Sequence, residues 1–210
     1  MPELIVIWDI QHVGKASRPE DRGAIADLNG DGVVGHDEKE ASLVGQYVYA
    51  GIRVLGVEGV RSWFVGWGDY GHRHRMACRL AREFPETQFL YLACHLNAGG
   101  GRYALILPDA RSTEGQLAAP RVAMAIGTEF SVDPRVRSAT ATDWTKNALY
   151  TIGGIYDGPR NIRGLCVEPL FIDGHRALMT PHDLERLGEA IAAGVIDWWR
   201  SATHLNGEAA

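Results

Sequence analysis

Two kinds of apolar run alternate along this chain. The first kind is continuous: from Leu4 to Ile10 the only polar residue is Asp9. A short unbroken run of this sort predicts a strand buried on both faces. Arg61 to Val65, Gln88 to Cys94, Tyr103 to Leu107 and Leu165 to Phe171 are predicted as strands too. The second kind repeats at steps of three and four, predicting helices over Glu40 to Leu55, Met76 to Phe84 and about Glu114 to Phe130. A last helix puts Leu184, Leu187, Ile191, Val195 and Trp198 on one stripe, with Thr180-Pro181 ahead of it as a start signal. The alternation predicts an α/β fold: a single domain over 1–210, with a mostly parallel mixed sheet and helices on both faces. Between Ser131 and Gly164 no period emerges and no element is predicted. Repeats, low-complexity tracts and linkers are absent from the sequence.

Length and composition narrow the picture. A chain of 210 residues is long enough for one real core and short for two. Its 46% hydrophobic and 22% charged residues describe a globular chain, not a disordered one. With 21 Lys and Arg against 26 Asp and Glu the formal charge is -5, which argues against a nucleic-acid partner. No apolar stretch approaches the roughly 20 residues that cross a bilayer, so no membrane role is expected. Met1-Pro2-Glu3 leads into the first strand without a basic region or a small-residue cleavage site, so no Sec-type export signal is expected. Three cysteines are too few and too irregularly spaced for a disulfide framework. Cys94 and Cys166 sit in apolar runs and are expected to be small buried residues.

One segment carries a metal signature by itself. Asp27-Leu28-Asn29-Gly30-Asp31-Gly32-Val33-Val34-Gly35-His36-Asp37-Glu38 fits the 12-residue EF-hand loop at each diagnostic place. Asp27, Asn29 and Asp31 supply side-chain oxygens at positions 1, 3 and 5, Val33 a carbonyl at position 7, and Glu38 the closing carboxylate. Gly32 takes the sharp turn and Val34 is the apolar residue at position 8. The expectation is one structural Ca²⁺, because no second loop is present to form the usual sensor pair.

Three other places carry residues suited to a mononuclear zinc site. They are Asp9-Ile10-Gln11-His12 after the first strand, Glu40 opening the first helix, and Cys94-His95-Leu96-Asn97-Ala98 after the strand that begins near Gln88. Carboxyl ends of strands are where open α/β sheets place their sites. Two imidazoles and a carboxylate leave a fourth position for water, as catalytic zinc requires. Spacing alone does not assemble this set. A fourth group, Glu168, lies in Leu165-Cys166-Val167-Glu168-Pro169-Leu170-Phe171, where a carboxylate is costly to bury unless paired or functional.

Resemblance assembles the set. In this order, Asp9-Ile10-Gln11-His12, Glu40, Ala93-Cys94-His95-Leu96-Asn97-Ala98 and Val167-Glu168-Pro169-Leu170-Phe171 resemble the zinc-dependent N-acetylmuramoyl-L-alanine amidases of the amidase-3 family. The resemblance runs over nearly the whole chain. It implies one catalytic Zn²⁺ on His12, Glu40 and His95, with Glu168 acting on the attacking water and the leaving amine. It also implies peptidoglycan as partner and substrate, cleaved between N-acetylmuramic acid and L-alanine. Two departures stand out. The family's Gly-His-Gly-Gly becomes Gln11-His12-Val13-Gly14, and the His12-to-Glu40 spacing is longer by about the length of the calcium loop. The loop at 27–38 is therefore read as an insertion between two zinc ligands.

Glu38 competes with Glu40 for the ligand position, since Glu38-Lys39 matches the family's frequent Glu-Lys pair. Counting from Glu40, the buried offsets fall on Leu43, Val44, Tyr47, Val48, Val54 and Leu55. The same offsets from Glu38 include Ser42, Gly45 and Arg53. Glu40 is taken as the zinc ligand, and Glu38 is left for calcium.

The reading is a monomeric zinc amidase of the phage-endolysin type, made in the cytoplasm and acting on the cell wall after release. Its alternatives are a zinc carboxypeptidase or other peptidase acting on the stem peptide, and a calcium-stabilised wall-binding module without catalysis. The first usually shows His-x-x-Glu, where this chain has Lys15 three residues after His12. Glu168 beside all three ligands argues against the second. His72 and His74 are read as solvated loop residues, and Gly99-Gly100-Gly101 lacks the Lys-Ser/Thr of a phosphate loop. Trp63, Trp67 and Tyr70 are read as packing residues.

Overall fold

The computed structural model describes residues 3–12, 23–66, 68–140 and 150–207. Val13, Gly14, Lys15 and Trp67 lie outside the described residues, as do 141–149 of the unread segment. Strand β1 (Leu4–Ile10) is buried at every position, which is why its sequence shows no alternation. After it come α1 (Glu40–Val57), β2 (Arg61–Val65), α2 (Tyr70–Glu83), β3 (Gln88–Cys94), β4 (Tyr103–Pro108) and α3 (Thr113–Phe130). The chain continues with β5 (Asp133–Val136), α4 (Tyr150–Tyr156), β6 (Ile162–Glu168) and α5 (Pro181–Gly207). Short 3-10 turns at His36–Glu38 and Arg176–Leu178 precede α1 and α5.

The six strands form one sheet in the order β2-β1-β3-β6-β4-β5. Neighbours run parallel except β4 and β6, which are antiparallel. Val6, Trp8 and Ile10 of β1 pack on one face with α1, α3 and α5, while Ile5 and Ile7 face α2 and α4 on the other. The expected stripe of α5, from Leu184 to Trp198, is buried. The predicted mixed sheet with helices on both faces is the fold observed.

The helical layer is tight where α1 crosses α5. A Cβ on Gly188 would stand 2.0 Å from the Tyr47 carbonyl oxygen, and one on Gly51 would stand 2.4 Å from the Trp8 ring. Only residues without a side chain fit there, so the two backbones meet directly above β1.

The chain leaves β1 over one face to reach β2, then returns over the other face to reach β3 on the opposite side of β1. The connections diverge at the carboxyl ends of β1 and β3. An open α/β sheet forms its binding crevice at such a point.

Two elements are bounded differently from the sequence pattern and two others are unpredicted. Helix α2 begins at Tyr70, not Met76, because Gly71-His72-Arg73-His74-Arg75 is a helical turn rather than a solvated loop. Arg73 is fully buried there, and His74 packs against Gly154, whose absent Cβ would lie 2.8 Å from the imidazole. Strand β6 covers Ile162–Glu168 instead of Leu165 to Phe171. Pro169 has no N–H to extend the ladder, and Gly164 gives Ile152 and Ile155 of α4 room to approach. Finally, β5 and α4 lie in the stretch for which no element is predicted.

Candidate metal centre

His12, Glu40 and His95 converge on the crevice between β1 and β3. Each offers one ligand atom, and these atoms lie within 4.8 Å of one another. Among the described residues this is the only grouping of three His, Cys, Asp or Glu side chains that does so. His12 sits two residues beyond β1 at φ 60°, a left-handed conformation uncommon for a residue with a Cβ. His95 follows β3 directly, and its carbonyl accepts a 2.9 Å hydrogen bond from the Tyr47 hydroxyl of α1. Glu40 is the first residue of α1, so its carboxylate stands over the strand ends.

Glu40 Oε1 lies 3.0 Å from His95 Nδ1 and 3.7 Å from His12 Nε2. These separations bracket the edge of about 3.4 Å that four ligands at zinc distance make around a tetrahedron. The Leu96 amide donates to the same oxygen at 3.1 Å, and the Ala24 amide donates to Oε2 at 2.6 Å. Gly23 closes that side: a Cβ there would stand 2.3 Å from Glu40 Oε2 and 2.9 Å from the His12 ring. The Glu40 side chain is 3% exposed while His12 and His95 remain 20% and 16% exposed, so the centre opens toward the imidazoles. Burial pushes Glu40 up, but the hydrogen bond and charge of His95, with His12 behind them, hold it below the ordinary carboxylate range. Burial pushes His95 down, and Glu40 and then Glu168 more than offset that. Two imidazoles and an ionised carboxylate form a donor set that suits a divalent cation.

Glu168 ends β6, next to β3 in the sheet. Burial raises its pKa, and the Glu40 charge adds to the rise against His95. Asn97 donates its side-chain amide to Glu168 Oε2 at 2.7 Å, fixing one carboxylate oxygen. Asn97, Tyr47, Tyr70 and Arg73 are supporting residues for which the sequence predicts no part in the site; it reads Tyr70 as a packing residue. Asn97 had a signal, its place in Cys94-His95-Leu96-Asn97-Ala98; Tyr47 showed only as part of a core stripe.

A second set of contacts stands behind His12. Arg73 Nη1 donates to Asp9 Oδ1 and to the Ile10 carbonyl, both at 2.6 Å, and Nε donates to the Gly68 carbonyl at 2.8 Å. Asp9 also accepts hydrogen bonds from the Tyr91 hydroxyl and the Gln11 side chain. Burial still lifts the Asp9 pKa, against the pull of Arg73.

The loop at 27–38 is closed by its own amides. Asp27 accepts from Gly30 and Gly32, Asn29 from Asp31, and Asp31 from Val33, at 2.7 to 2.9 Å. Glu38 accepts from Leu28, Asn29 and Gly35. Gly30 and Gly32 take the positive φ that such a turn demands. The carboxylates of Asp27, Asp31 and Glu38 are not gathered as closely as the His12 group. The Glu38 carboxylate thus lies in this loop and that of Glu40 in the crevice.

A mixed α/β sheet with two imidazoles and a carboxylate over its crevice defines the class of domain. No protein-family model matches the sequence, and neither does any curated protein. Solved structures do match, and they share the fold. Cwp6 from Clostridium difficile is 22% identical over 94% of this chain with a TM-score of 0.70, although the chain spans only 29% of Cwp6. The N-acetylmuramoyl-L-alanine amidase AmiC2 of Nostoc punctiforme is 17% identical with a TM-score of 0.63, covering 94% of this chain and 97% of its own. The catalytic domain of the CD27L endolysin, which targets Clostridia difficile, is 16% identical with a TM-score of 0.64, covering 93% and 97%. This chain therefore has the fold of N-acetylmuramoyl-L-alanine amidase catalytic domains.

Proposed function

We propose that this protein is a zinc-dependent peptidoglycan amidase of the endolysin type, cleaving between N-acetylmuramic acid and L-alanine. The observation that carries this reading is the convergence of His12, Glu40 and His95 at the β1/β3 crevice of an amidase fold. Zinc held there would lower the pKa of a bound water and polarise the scissile carbonyl. Glu168, lifted by burial, is suited to take a proton from the attacking water and hand it to the departing amine. Asn97 keeps Glu168 turned in one direction, and the Leu96 and Ala24 amides keep Glu40 ionised and oriented.

The domain is read as 1–210 with an inserted loop at 27–38 that takes one structural Ca²⁺ through Asp27, Asn29, Asp31, the Val33 carbonyl and Glu38. The residue pattern of the loop supports that ion. The protein is read as a monomer made in the cytoplasm that reaches the wall after release.

Digestion of purified peptidoglycan followed by mass analysis separates the readings. New L-Ala amino termini, lost on chelation and restored by zinc, are the expected result. New peptide carboxyl termini would make the protein a peptidase, and binding without products a wall-binding module.

A further inference from the structure

His12 is held in a backbone conformation that a residue with a Cβ seldom adopts, at the end of a strand where the chain turns sharply. Left alone, such a residue relaxes and carries its imidazole away. Three contacts converge to prevent this. Arg73 grips the carbonyl of Ile10, two residues before His12, while its other bonds reach Asp9 and the Gly68 carbonyl. Tyr70 stands one helical turn before Arg73, with the guanidinium 5.9 Å from its ring centre. Its hydroxyl lies 3.5 Å from His12 Nδ1, and the rings meet edge to face with centroids 6.3 Å apart. The nitrogen facing Glu40 is the other one, Nε2.

We propose that Tyr70 and Arg73 are positioning residues for His12: Arg73 fixes the backbone of the turn, and the Tyr70 hydroxyl fixes the ring so that Nε2 faces the metal. The inference rests on reading His12 as a metal ligand. Arg73 and Asp9 are both fully buried, and a buried ion pair is weak as a stabiliser of the fold compared with apolar residues of the same size. The pair has a second use here, because the guanidinium also seizes a carbonyl of the ligand-bearing turn. A ligating imidazole needs a partner on its remaining nitrogen to set its tautomer and aim. The first turn of α2 supplies that partner and the arginine together. Helix α2 is thereby tied to the centre on the opposite face of the sheet from α1.

The test is zinc affinity, measured on the full chain by competition with a chromophoric chelator, alongside the melting temperature of the metal-free protein. Tyr70→Phe keeps the ring and removes the hydroxyl. It is expected to weaken zinc about 10- to 100-fold while the metal-free melting temperature stays that of the parent. Arg73→Lys keeps the charge opposite Asp9 but cannot span Asp9, Ile10 and Gly68 at once, and it should weaken zinc as well. If Arg73→Lys does not fold, Tyr70→Phe decides alone. Zinc binding within twofold of the parent in a folded Tyr70→Phe protein would overturn the inference. If the parent itself binds no zinc, the metal reading of the site falls, and the inference with it.

Discussion

At the scale of single residues, the contrast between the carboxylates of Glu40 and Glu168 is the sharpest feature of the crevice. Glu40 sits among imidazoles and is held ionised, while Glu168 is pushed toward its neutral form by burial. Glu168→Gln should therefore keep zinc at parental affinity and lose activity by about two to four orders of magnitude. Near-parental turnover in that variant would remove Glu168 from the chemistry. Glu40→Gln should lose zinc while Glu38→Gln retains it, because only Glu40 lies beside His12 and His95. A Glu38→Gln protein without zinc would reverse that assignment. Both carboxylates were legible in the sequence, Glu40 from the stripe it shares with Leu43 and Val44, and Glu168 from its apolar surroundings. Arg73 was not. A cation between two histidines reads as surface, and its burial is explained by a carboxylate 64 positions away in the chain together with the Ile10 and Gly68 carbonyls.

At the scale of elements, the loop at 27–38 and Glu40 are mechanically joined. Ile25 bridges Lys39, the Ala24 carbonyl accepts from the Glu40 amide, and the Glu40 carboxylate accepts from the Ala24 amide. The far side of the loop is tied to the turn before α5, where Arg176 Nε donates to the Leu28 carbonyl at 3.1 Å. An ion that binds only the folded loop stabilises by RT ln(1 + [L]/Kd), about 2.7 kcal/mol at a hundredfold excess over Kd. Calcium should raise the melting temperature, Asp31→Ala should erase the rise, and zinc affinity should fall in that variant. No calcium-dependent change in the parent would leave the loop a plain hydrogen-bonded turn. The α1/α5 crossing gives a second expectation. Gly188→Ala should destabilise by about 1–3 kcal/mol through overpacking. Gly56→Ala, with nothing within 4 Å of the new methyl, should be neutral or slightly stabilising. Urea unfolding of the two variants makes the comparison. Elements with dense apolar patterns, such as β1, β3 and α5, were legible in the sequence. Strand β5 was not, because Asp133-Pro134-Arg135-Val136 is exposed throughout and takes its place by pairing with β4 and lying against α3. Helix α4 was not, because Gly153 and Gly154 interrupt a segment of only seven residues.

At the scale of the whole molecule, the α/β class followed from alternation of patterns, but strand order did not. Nothing in the apolar run of β6 says that it inserts between β3 and β4, or that β4 runs against it. Those choices rest on contacts between distant segments, which local periodicity does not record. The location of the site was nevertheless legible. His95 follows β3 directly and His12 lies two residues past β1, and the crevice lies where the connections from β1 to β2 and from β3 to β4 part.

The place of β6 also sets a timetable for synthesis. Strand β3 stays open along one edge until residue 162 and those after it have been made, and an open edge invites wrong partners. At about 5–20 residues per second the wait lasts several seconds. The segment that seals the sheet is the one that ends in Glu168, so a nascent chain acquires its last proposed catalytic group only as its scaffold closes. Chains stalled before residue 162 should be digested by a mild protease, whereas complete ones should resist. Equal resistance would mean that the five strands made before β6 stand by themselves.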